Sequence, residues 1–148
     1  MGHMAGQRQR LPKNYALIRD IVLEDGRGTH RTAHDVYVAA RARQPQIGFA
    51  TVHRGLIRLC EMREIIRVEV AHGEAAWYEP PAPPHAHLLC DACGTLVDIE
   101  YATSDRTLRS IADREGVRIG GEVLTFSGLC RRCAAVAADA EAELALLR

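Results

Sequence analysis

Residues 77–93, WYEPPAPPHAHLLCDAC, contain most of the features that decide how this chain folds. Side chains that commonly bind metal ions recur within the stretch, namely Glu79, His85, His87, Cys90 and Cys93. The prolines between the glutamate and the histidines predict a linker. The sequence therefore predicts a first domain over residues 1–79, a Pro-rich hinge over 80–84 and a second domain over 85–148.

Upstream of this stretch the hydrophobic pattern predicts three helices followed by a β-hairpin. Apolar residues recur at intervals of three and four within segments 12–25, 29–43 and 48–62, which is the period of an amphipathic helix. Residues 64–79 alternate apolar and polar side chains around a turn at 71–74, as a hairpin does. This order predicts a winged helix-turn-helix domain. A small helical domain with a solvated arginine face is the alternative.

The third predicted helix has an apolar stripe and a cationic face. The residues of the stripe are Phe49, Val52, Leu56 and Leu59. Arg54 and Arg58 fall on another face with Thr51, so two guanidinium groups are expected to point outward. In the preceding helix, Thr32 and Asp35 have the spacing of a capping box.

Downstream of the linker the pattern predicts a small α+β domain. Strands are expected over 87–90, 96–100 and 117–126, and helices over 104–115 and 131–147. A unit of this size buries too little apolar surface to be stable alone. It is therefore expected to depend on a bound metal ion and on a second copy of the chain.

A second CxxC motif, at Cys130 and Cys133, follows the first one at Cys90 and Cys93. Tetrahedral Zn²⁺ binds four thiolates, and each CxxC motif supplies two of them from one tight turn. No secretory signal is visible, so a cytoplasmic location is expected, where paired CxxC motifs are more often metal ligands than disulfides. The motifs predict a structural zinc site, with two disulfides or a redox motif as alternatives. Cys60 is predicted to be an ordinary core cysteine.

His85 and His87 form an HxH pair. Residues i and i+2 of a strand point to the same side, so both imidazole rings can face one ion. A nitrogen and oxygen ligand set favours Fe²⁺, Mn²⁺ or Zn²⁺ over Cu⁺. The residues alone leave open whether this pair binds metal or is ordinary surface.

Charge is distributed unevenly although the net charge is zero. Residues 1–79 carry 12 Lys and Arg against 9 Asp and Glu, and residues 80–148 carry 7 against 10. The first half is therefore the one expected to bind an anionic partner. No apolar run is long enough to span a bilayer, and neither a membrane nor a small-molecule substrate is an expected partner.

Four segments taken together resemble the ferric uptake regulator superfamily. They are GFATVHRGL (48–56), WYEP (77–80), HAHLLCDACGTLVDIE (85–100) and LCRRC (129–133). The similarity covers about residues 12–136. The resemblance implies a bacterial metal-dependent transcriptional regulator that binds an operator in double-stranded DNA as a homodimer. It also implies an N-terminal winged-helix domain, a hinge and a C-terminal dimerisation domain.

The resemblance further implies roles for particular residues. Structural zinc ligands are implied at Cys90, Cys93, Cys130 and Cys133. Ligands of a regulatory ion that bridges the two domains are implied at His30, Glu79, His85, His87 and Asp98. DNA contacts are expected from Lys13, Thr51, His53, Arg54 and Arg58. His53 stands where the family usually has tyrosine, which changes the expected base contact.

The expected function is that of a repressor that senses Fe²⁺ or Mn²⁺. Zinc-sensing members often have a cysteine near the hinge, where this chain has Glu79. Asp98 occupies a position where peroxide-sensing members have aspartate, so a peroxide response is a further expectation. A zinc- or manganese-uptake regulator of the same family is the alternative, with Zn²⁺ in the regulatory site.

Two functions of other classes explain fewer of these features. A metalloenzyme would need a general base or a substrate-positioning motif, and no catalytic residue is predicted. A zinc-ribbon adaptor between proteins would account for the CxxC motifs but not for the HxH pair or the arginine-bearing helix. The chain is therefore not expected to be an enzyme.

Overall fold

The computed structural model describes residues 11–70 and 75–146, with side chains as far as residue 140. The described residues form two compact units. The first comprises residues 11–68 and 75–81, and the second comprises residues 69–70 and 82–146. Residues 80–85 adopt neither helix nor strand.

The first unit contains three helices and a small antiparallel sheet. Its elements in chain order are α1 (Lys13–Leu23), β1 (Arg31–Thr32), α2 (Ala33–Arg43), α3 (Phe49–Glu61), β2 (Ile66–Val68) and β3 (Trp77–Glu79). The strand order is β1–β3–β2. The predicted winged helix-turn-helix arrangement is confirmed, while the hairpin turn predicted at 71–74 lies outside the described residues.

Helix α2 begins with the predicted capping box. The Thr32 hydroxyl accepts a hydrogen bond from the Asp35 N–H at 3.2 Å, and the Asp35 carboxylate accepts one from the Thr32 N–H at 2.8 Å. The prediction that this helix begins at residue 29 is wrong, because residues 31 and 32 pair with β3 instead. A strand of two residues is too short to leave a periodic pattern in the sequence.

The core of the first unit is mainly aliphatic. Its buried residues are Ile18, Ile21, Val22, Val36, Ala40, Ile47, Val52, Leu56, Leu59, Ile65 and Tyr78. Three of the four residues in the predicted α3 stripe are among them. Phe49 is the exception and is 46% exposed. Its ring lies at the start of α3 and packs edge-on against Tyr37, with centroids 5.5 Å apart.

Helices α1 and α3 pack together at Gly55, which is buried. A Cβ atom at Gly55 would lie 2.5 Å from Ile18 Cδ1 and 3.2 Å from Tyr15 Cδ1. Glycine is therefore the residue that permits this approach without displacing a neighbour. The contact holds one face of α3 against the core and leaves Arg54 and Arg58 exposed on other faces.

The second unit contains a mixed sheet and two helices. Its elements are β4 (Ala86–Cys90), β5 (Leu96–Ile99), α4 (Asp105–Glu115), β6 (Thr125–Gly128) and α5 (Arg131–Leu146). Strand β4 lies in the centre of the sheet, antiparallel to β5 and parallel to β6. Helix α4 ends at Glu115, as predicted, and Gly116 is its C-cap.

The strand predicted over residues 117–126 is wrong for most of its length. Residues 117–124 are not a strand, and β6 begins only at Thr125, where the chain comes opposite His87 of β4. The apolar residues Val117 and Val123 are 52% and 75% exposed. Their apolar character produced the prediction, but neither pairs with a strand of the described chain.

The described residues thus form the predicted α+β fold, with five helices and two three-stranded sheets. Within residues 11–70 and 75–146, none of the helices combines the length and the apolar character needed to cross a membrane.

Candidate functional site

Two turns bring the four cysteines of the second unit together. Cys90 ends β4 and Cys93 lies in the turn that leads to β5, while Cys130 and Cys133 lie at the junction of β6 and α5. Because β4 and β6 run parallel, with Cys90 opposite Gly128, both turns lie at the same end of the sheet. The pairing of these strands therefore assembles the cluster.

The geometry of this cysteine cluster fits a zinc ion. The four sulfur atoms lie within 4.8 Å of one another, and Cys93 Sγ lies 3.8 Å from Cys130 Sγ. Sulfur atoms bound to a tetrahedral zinc ion at about 2.3 Å lie roughly 3.8 Å apart. All four thiols are free rather than joined in disulfides, and together they form the donor set of a structural zinc site.

Hydrogen bonds to sulfur favour the thiolate at two positions. The hydroxyl of Thr95 lies 3.3 Å from Cys93 Sγ, and together with the Thr95 N–H it lowers the pKa of Cys93 to about 6. The N–H of Cys130 donates to Cys90 Sγ at 3.3 Å and lowers the pKa of Cys90. Hydrogen bonding with the Cys130 side chain raises the pKa of Cys133 to about 12. Zinc binding must therefore displace a proton from Cys133.

Gly94 allows the first CxxC turn to close. Its φ angle is +68°, a conformation that glycine adopts without steric cost. Its N–H donates to the Cys90 carbonyl at 2.8 Å, and the Cys90 N–H donates to the Thr95 carbonyl at 3.0 Å. These bonds turn the chain back toward β5 and place both sulfurs of the motif on the same side.

A second group of metal-binding side chains lies on β4, on β5 and just before β4. His87 is directly opposite Asp98 in the β4–β5 ladder. Asp98 Oδ1 lies 3.7 Å from His87 Nε2 and 3.3 Å from His85 Nε2. The two imidazole rings have centroids 4.5 Å apart. The structure therefore brings His85, His87 and Asp98 together, as expected for residues that share one face of a strand pair.

A backbone contact orients the His85 ring. Its Nδ1 lies 2.9 Å from the Pro83 carbonyl oxygen. When Nδ1 carries the proton and donates to that carbonyl, Nε2 presents its lone pair toward Asp98, which is the usual arrangement of a metal-binding histidine. Two ligand atoms bound to the same ion at about 2.1 Å lie roughly 3.0 to 3.4 Å apart. The 3.3 Å distance between His85 Nε2 and Asp98 Oδ1 therefore fits two ligands of one shared ion.

The first unit contains a histidine–carboxylate pair. His30 Nε2 lies 2.9 Å from Glu79 Oε2, and the two side chains are only 2% and 6% exposed. The β1–β3 register explains this contact, because Arg31 is opposite Tyr78 and the next step along the ladder places His30 opposite Glu79. The short strand β1, which the sequence pattern did not reveal, is therefore what positions His30.

The outer surface of α3 carries most of the side chains that were expected to contact DNA. His53, Arg54 and Arg58 are exposed, whereas Thr51 is half-buried. Arg58 forms an ion pair with Glu61 at 2.8 Å. Lys13 is exposed at the first residue of α1. Arg54 and Arg58 are one turn apart on α3, so an anionic partner would meet the Arg54 guanidinium and the Arg58–Glu61 pair on the same side of the helix.

Cys60 belongs to the first unit and is not part of the cysteine cluster. It is half-buried and packs against the aliphatic core. This burial raises the pKa of its thiol, so the neutral form is favoured, as expected for a cysteine in a core.

Comparison with known proteins identifies similar sequences. A sequence model of the ferric uptake regulator family matches residues 12–127. The ferric uptake regulation protein of Bacillus subtilis (strain 168) is 32% identical over 125 residues, which cover 82% of this chain and 83% of that protein. The peroxide operon regulator of the same strain is 27% identical over 123 residues, which cover 82% of this chain and 81% of that protein.

Solved structures share the fold. A ferric uptake regulator from Francisella tularensis, solved with iron, matches with a TM-score of 0.71 at 20% identity, over 90% of this chain and 98% of that chain. A zinc uptake regulator solved with zinc and DNA matches with a TM-score of 0.67 at 23% identity, over 87% and 86% of the respective chains. At these identities the likeness concerns the fold alone.

Proposed function

Because this chain belongs to the ferric uptake regulator family, we propose that it is a cytoplasmic repressor that binds operator DNA as a homodimer when it holds Fe²⁺ or Mn²⁺. Family membership makes the chain a metal-responsive transcription regulator and not an enzyme. The observation that carries the proposal is the buried pair of His30 and Glu79, 2.9 Å apart, in the same unit as the arginine-bearing helix α3. A metal-binding pair in the unit that would bind DNA supports metal control of DNA binding.

We propose that the regulatory ion is held by both domains. The ligands are His30 and Glu79 from the first domain, residues 1–79, and His85, His87 and Asp98 from the second, residues 85–148. Residues 80–84 act as the hinge, and their prolines and lack of regular structure support this role. An ion bound by both domains favours one arrangement of them, and shifts the equilibrium only by its difference in affinity for the two states.

The proposed dimer forms through the second domain. Several of its apolar side chains are more than one-third exposed, namely Tyr101, Val117, Val123, Phe126, Leu129 and Val136. Burial of such a surface against a second copy would stabilise a unit with few buried residues of its own. The dimer would then present two α3 helices to half-sites about one DNA turn, or roughly 34 Å, apart.

DNA contacts in this proposal come from α3 and from the first residue of α1. Arg54 donates to a guanine edge, the commonest specific contact of arginine in the major groove. Thr51, His53 and Arg58 reach other base edges or phosphates, and Lys13 contacts a phosphate from α1. These residues are exposed or half-buried on the first unit, which supports their access to DNA.

Zinc in the cysteine cluster has a structural role in this proposal. Cys90, Cys93, Cys130 and Cys133 hold the ion and tie the β4–β5 turn to the start of α5. The thiolate set excludes water and leaves no open coordination position, as in structural zinc sites. The regulatory set of imidazoles and carboxylates favours Fe²⁺ or Mn²⁺ instead and can also bind Zn²⁺.

Peroxide sensitivity follows from the same site if the ion is iron. Asp98 and the similarity to a peroxide operon regulator support this extension. Peroxide should abolish DNA binding by the Fe²⁺-loaded protein and leave the Mn²⁺-loaded protein unaffected, because Mn²⁺ does not reduce peroxide under these conditions. Equal retention of DNA by both metal forms would exclude a peroxide response.

The test of metal control replaces one proposed ligand. The His30→Ala variant should bind one Mn²⁺ fewer per chain and lose Mn²⁺-dependent retardation of duplex DNA. His34→Ala is the matched control, because His34 is an exposed histidine on α2 and is not among the proposed ligands. If His30→Ala keeps both the metal stoichiometry and the metal-dependent DNA binding, the proposal is wrong.

A further inference from the structure

The face of α3 opposite the core combines apolar and charged side chains. Val52, Leu56 and Leu59 are fully buried. With 3.6 residues per turn, the positions that point away from them are Ala50, Arg54, Ile57 and Glu61, all of which are exposed. The large apolar side chain on this outer face is Ile57, which is 42% exposed.

Ile57 is distinguished by its position rather than by its exposure. Single exposed aliphatic residues are common on protein surfaces. Ile57 follows Arg54 by three residues, so these two side chains are neighbours on the outer face of α3. The Arg54 guanidinium complements the phosphates that line a DNA groove, while the Glu61 carboxylate near the end of the face is paired with Arg58.

We propose that Ile57 determines sequence specificity by contacting the 5-methyl group of a thymine in the major groove. This inference rests on the proposed function, because it requires α3 to enter that groove. Thymine presents a methyl group at its major-groove edge, and apolar side chains recognise it. The charged and polar side chains of the same face cannot make this contact.

The spacing along α3 predicts where the thymine lies. Side chains three residues apart on a helix have Cβ atoms about 5–6 Å apart, and successive bases on a strand are about 3.4 Å apart. Arg54 and Ile57 therefore reach bases one or two steps apart. If Arg54 contacts a guanine, the preferred sequence contains a thymine within two base steps of that guanine.

The experiment begins with selection of a binding sequence. The full chain, loaded with zinc and Mn²⁺, selects duplexes from a pool with a randomised core of 20 base pairs. Each thymine of the selected sequence is then replaced in turn by deoxyuridine, which lacks only the 5-methyl group. Affinity for every duplex is measured with the unmodified chain and with Ile57→Ala.

At one position, deoxyuridine should weaken binding of the unmodified chain about three- to fivefold, the factor that corresponds to burial of one methyl group. Ile57→Ala should weaken binding of the thymine duplex at least as much. The same variant should not distinguish thymine from deoxyuridine at that position, because the contact is already lost. Ile57→Val should keep most of the discrimination, and Val38→Ala, at an exposed aliphatic residue of α2, should keep all of it.

The outcomes separate this inference from the proposed function. If the unmodified chain selects no sequence in the presence of Mn²⁺, both are wrong. If it selects a sequence but Ile57→Ala discriminates thymine from deoxyuridine as strongly as the unmodified chain at every position, the thymine contact is wrong and metal-dependent DNA binding stands. A thermal unfolding midpoint of Ile57→Ala equal to that of the unmodified chain confirms that its binding reports the contact.

Discussion

Thr95 controls the charge of one cysteine in the zinc cluster. With the Thr95 hydroxyl and N–H as its main hydrogen-bonding partners, Cys93 has a pKa of about 6 instead of the ordinary 9.0. At neutral pH the thiolate is therefore favoured before zinc binds. Protons compete with zinc for a thiol only below the pKa of that thiol.

Replacement of Thr95 by valine should make zinc binding more dependent on pH. The variant loses the hydroxyl, so the pKa of Cys93 rises toward 9.0, and the apparent zinc affinity at pH 7 should fall about tenfold for each unit by which the new pKa exceeds 7. The difference should vanish above pH 9, where both proteins carry the thiolate, and reach a constant value below about pH 6. Chelator competition across this range measures it, and a difference independent of pH would contradict the role of Thr95.

Asp98 is opposite His87 in the β4–β5 ladder and also lies near His85. Asp98→Asn keeps the size of the side chain but removes its negative charge, so Mn²⁺ affinity should fall on the order of 10- to 100-fold. Zinc content should stay at one ion per chain. Asp91→Asn, at an exposed position in the first CxxC turn, is the control and should bind Mn²⁺ normally. Unchanged Mn²⁺ affinity of Asp98→Asn would exclude Asp98 as a ligand.

The sequence revealed some of these residues and concealed others for a physical reason. Each CxxC motif is local, so its two cysteines are recognisable from spacing alone. His30 and Asp98 each meet their neighbours across strand pairs, with Glu79 and His87 respectively. Such contacts depend on register, which the local pattern around His30 or Asp98 does not contain. The family resemblance was therefore the only sequence signal for these two residues.

At the scale of elements, the contact between α1 and α3 depends on Gly55. Alanine has a higher helix propensity than glycine by about 1 kcal/mol, yet its Cβ at this position would lie 2.5 Å from Ile18 Cδ1. Because Ile18 is fully buried, its side chain has little room to move away. Steric strain is therefore expected to exceed the gain in propensity.

Gly55→Ala should lower the free energy of unfolding by about 1 kcal/mol, the net result of overpacking and helix propensity. Ile18→Val alone should cost about 0.5–1.5 kcal/mol, but it removes the Cδ1 atom with which the new Cβ would clash. The double variant should therefore be more stable than the sum of the two effects predicts, by about 1 kcal/mol. Urea denaturation measures all three variants. Additive effects would contradict a direct clash at this crossing.

Strong periodicity made some elements predictable. Helix α3 and the β2–β3 hairpin were predicted because their apolar residues recur with the periods of a helix and a strand. Strand β1 was missed because two residues show no period. The strand expected over 117–126 was placed too early, because its apolar residues resemble a buried strand although Val117 and Val123 are exposed. A strand prediction from apolar residues assumes that they are buried within the same chain, and for Val117 and Val123 that assumption is wrong.

On the scale of the whole molecule, each unit contains its own set of metal-binding side chains. The second unit has the cysteine cluster, few buried apolar residues and no buried residue on α4. Its stability should therefore depend on zinc more than that of the first unit, which has an aliphatic core. Small domains with little buried surface commonly obtain folding free energy from a structural metal.

Cys133→Ser should abolish stoichiometric zinc binding and remove on the order of 5 kcal/mol or more of stability from the second unit. Differential scanning calorimetry should show loss of the unfolding transition of the second unit, while the unfolding transition of the first unit persists. Cys60→Ser is the control, because Cys60 packs against the core of the first unit. It should keep one zinc ion per chain. A Cys133→Ser protein with full zinc content would contradict the assignment of this cluster.

In the proposed mechanism, a second, exchangeable ion controls DNA binding by the whole chain. The most direct measurement is titration of Mn²⁺ into zinc-loaded protein under anaerobic conditions, with metal per chain and retardation of the selected duplex measured on the same samples. DNA binding should be weak with zinc alone and should rise in proportion to the uptake of one Mn²⁺ per chain. Full DNA binding with zinc alone, unchanged as Mn²⁺ is added, would contradict metal control of this regulator.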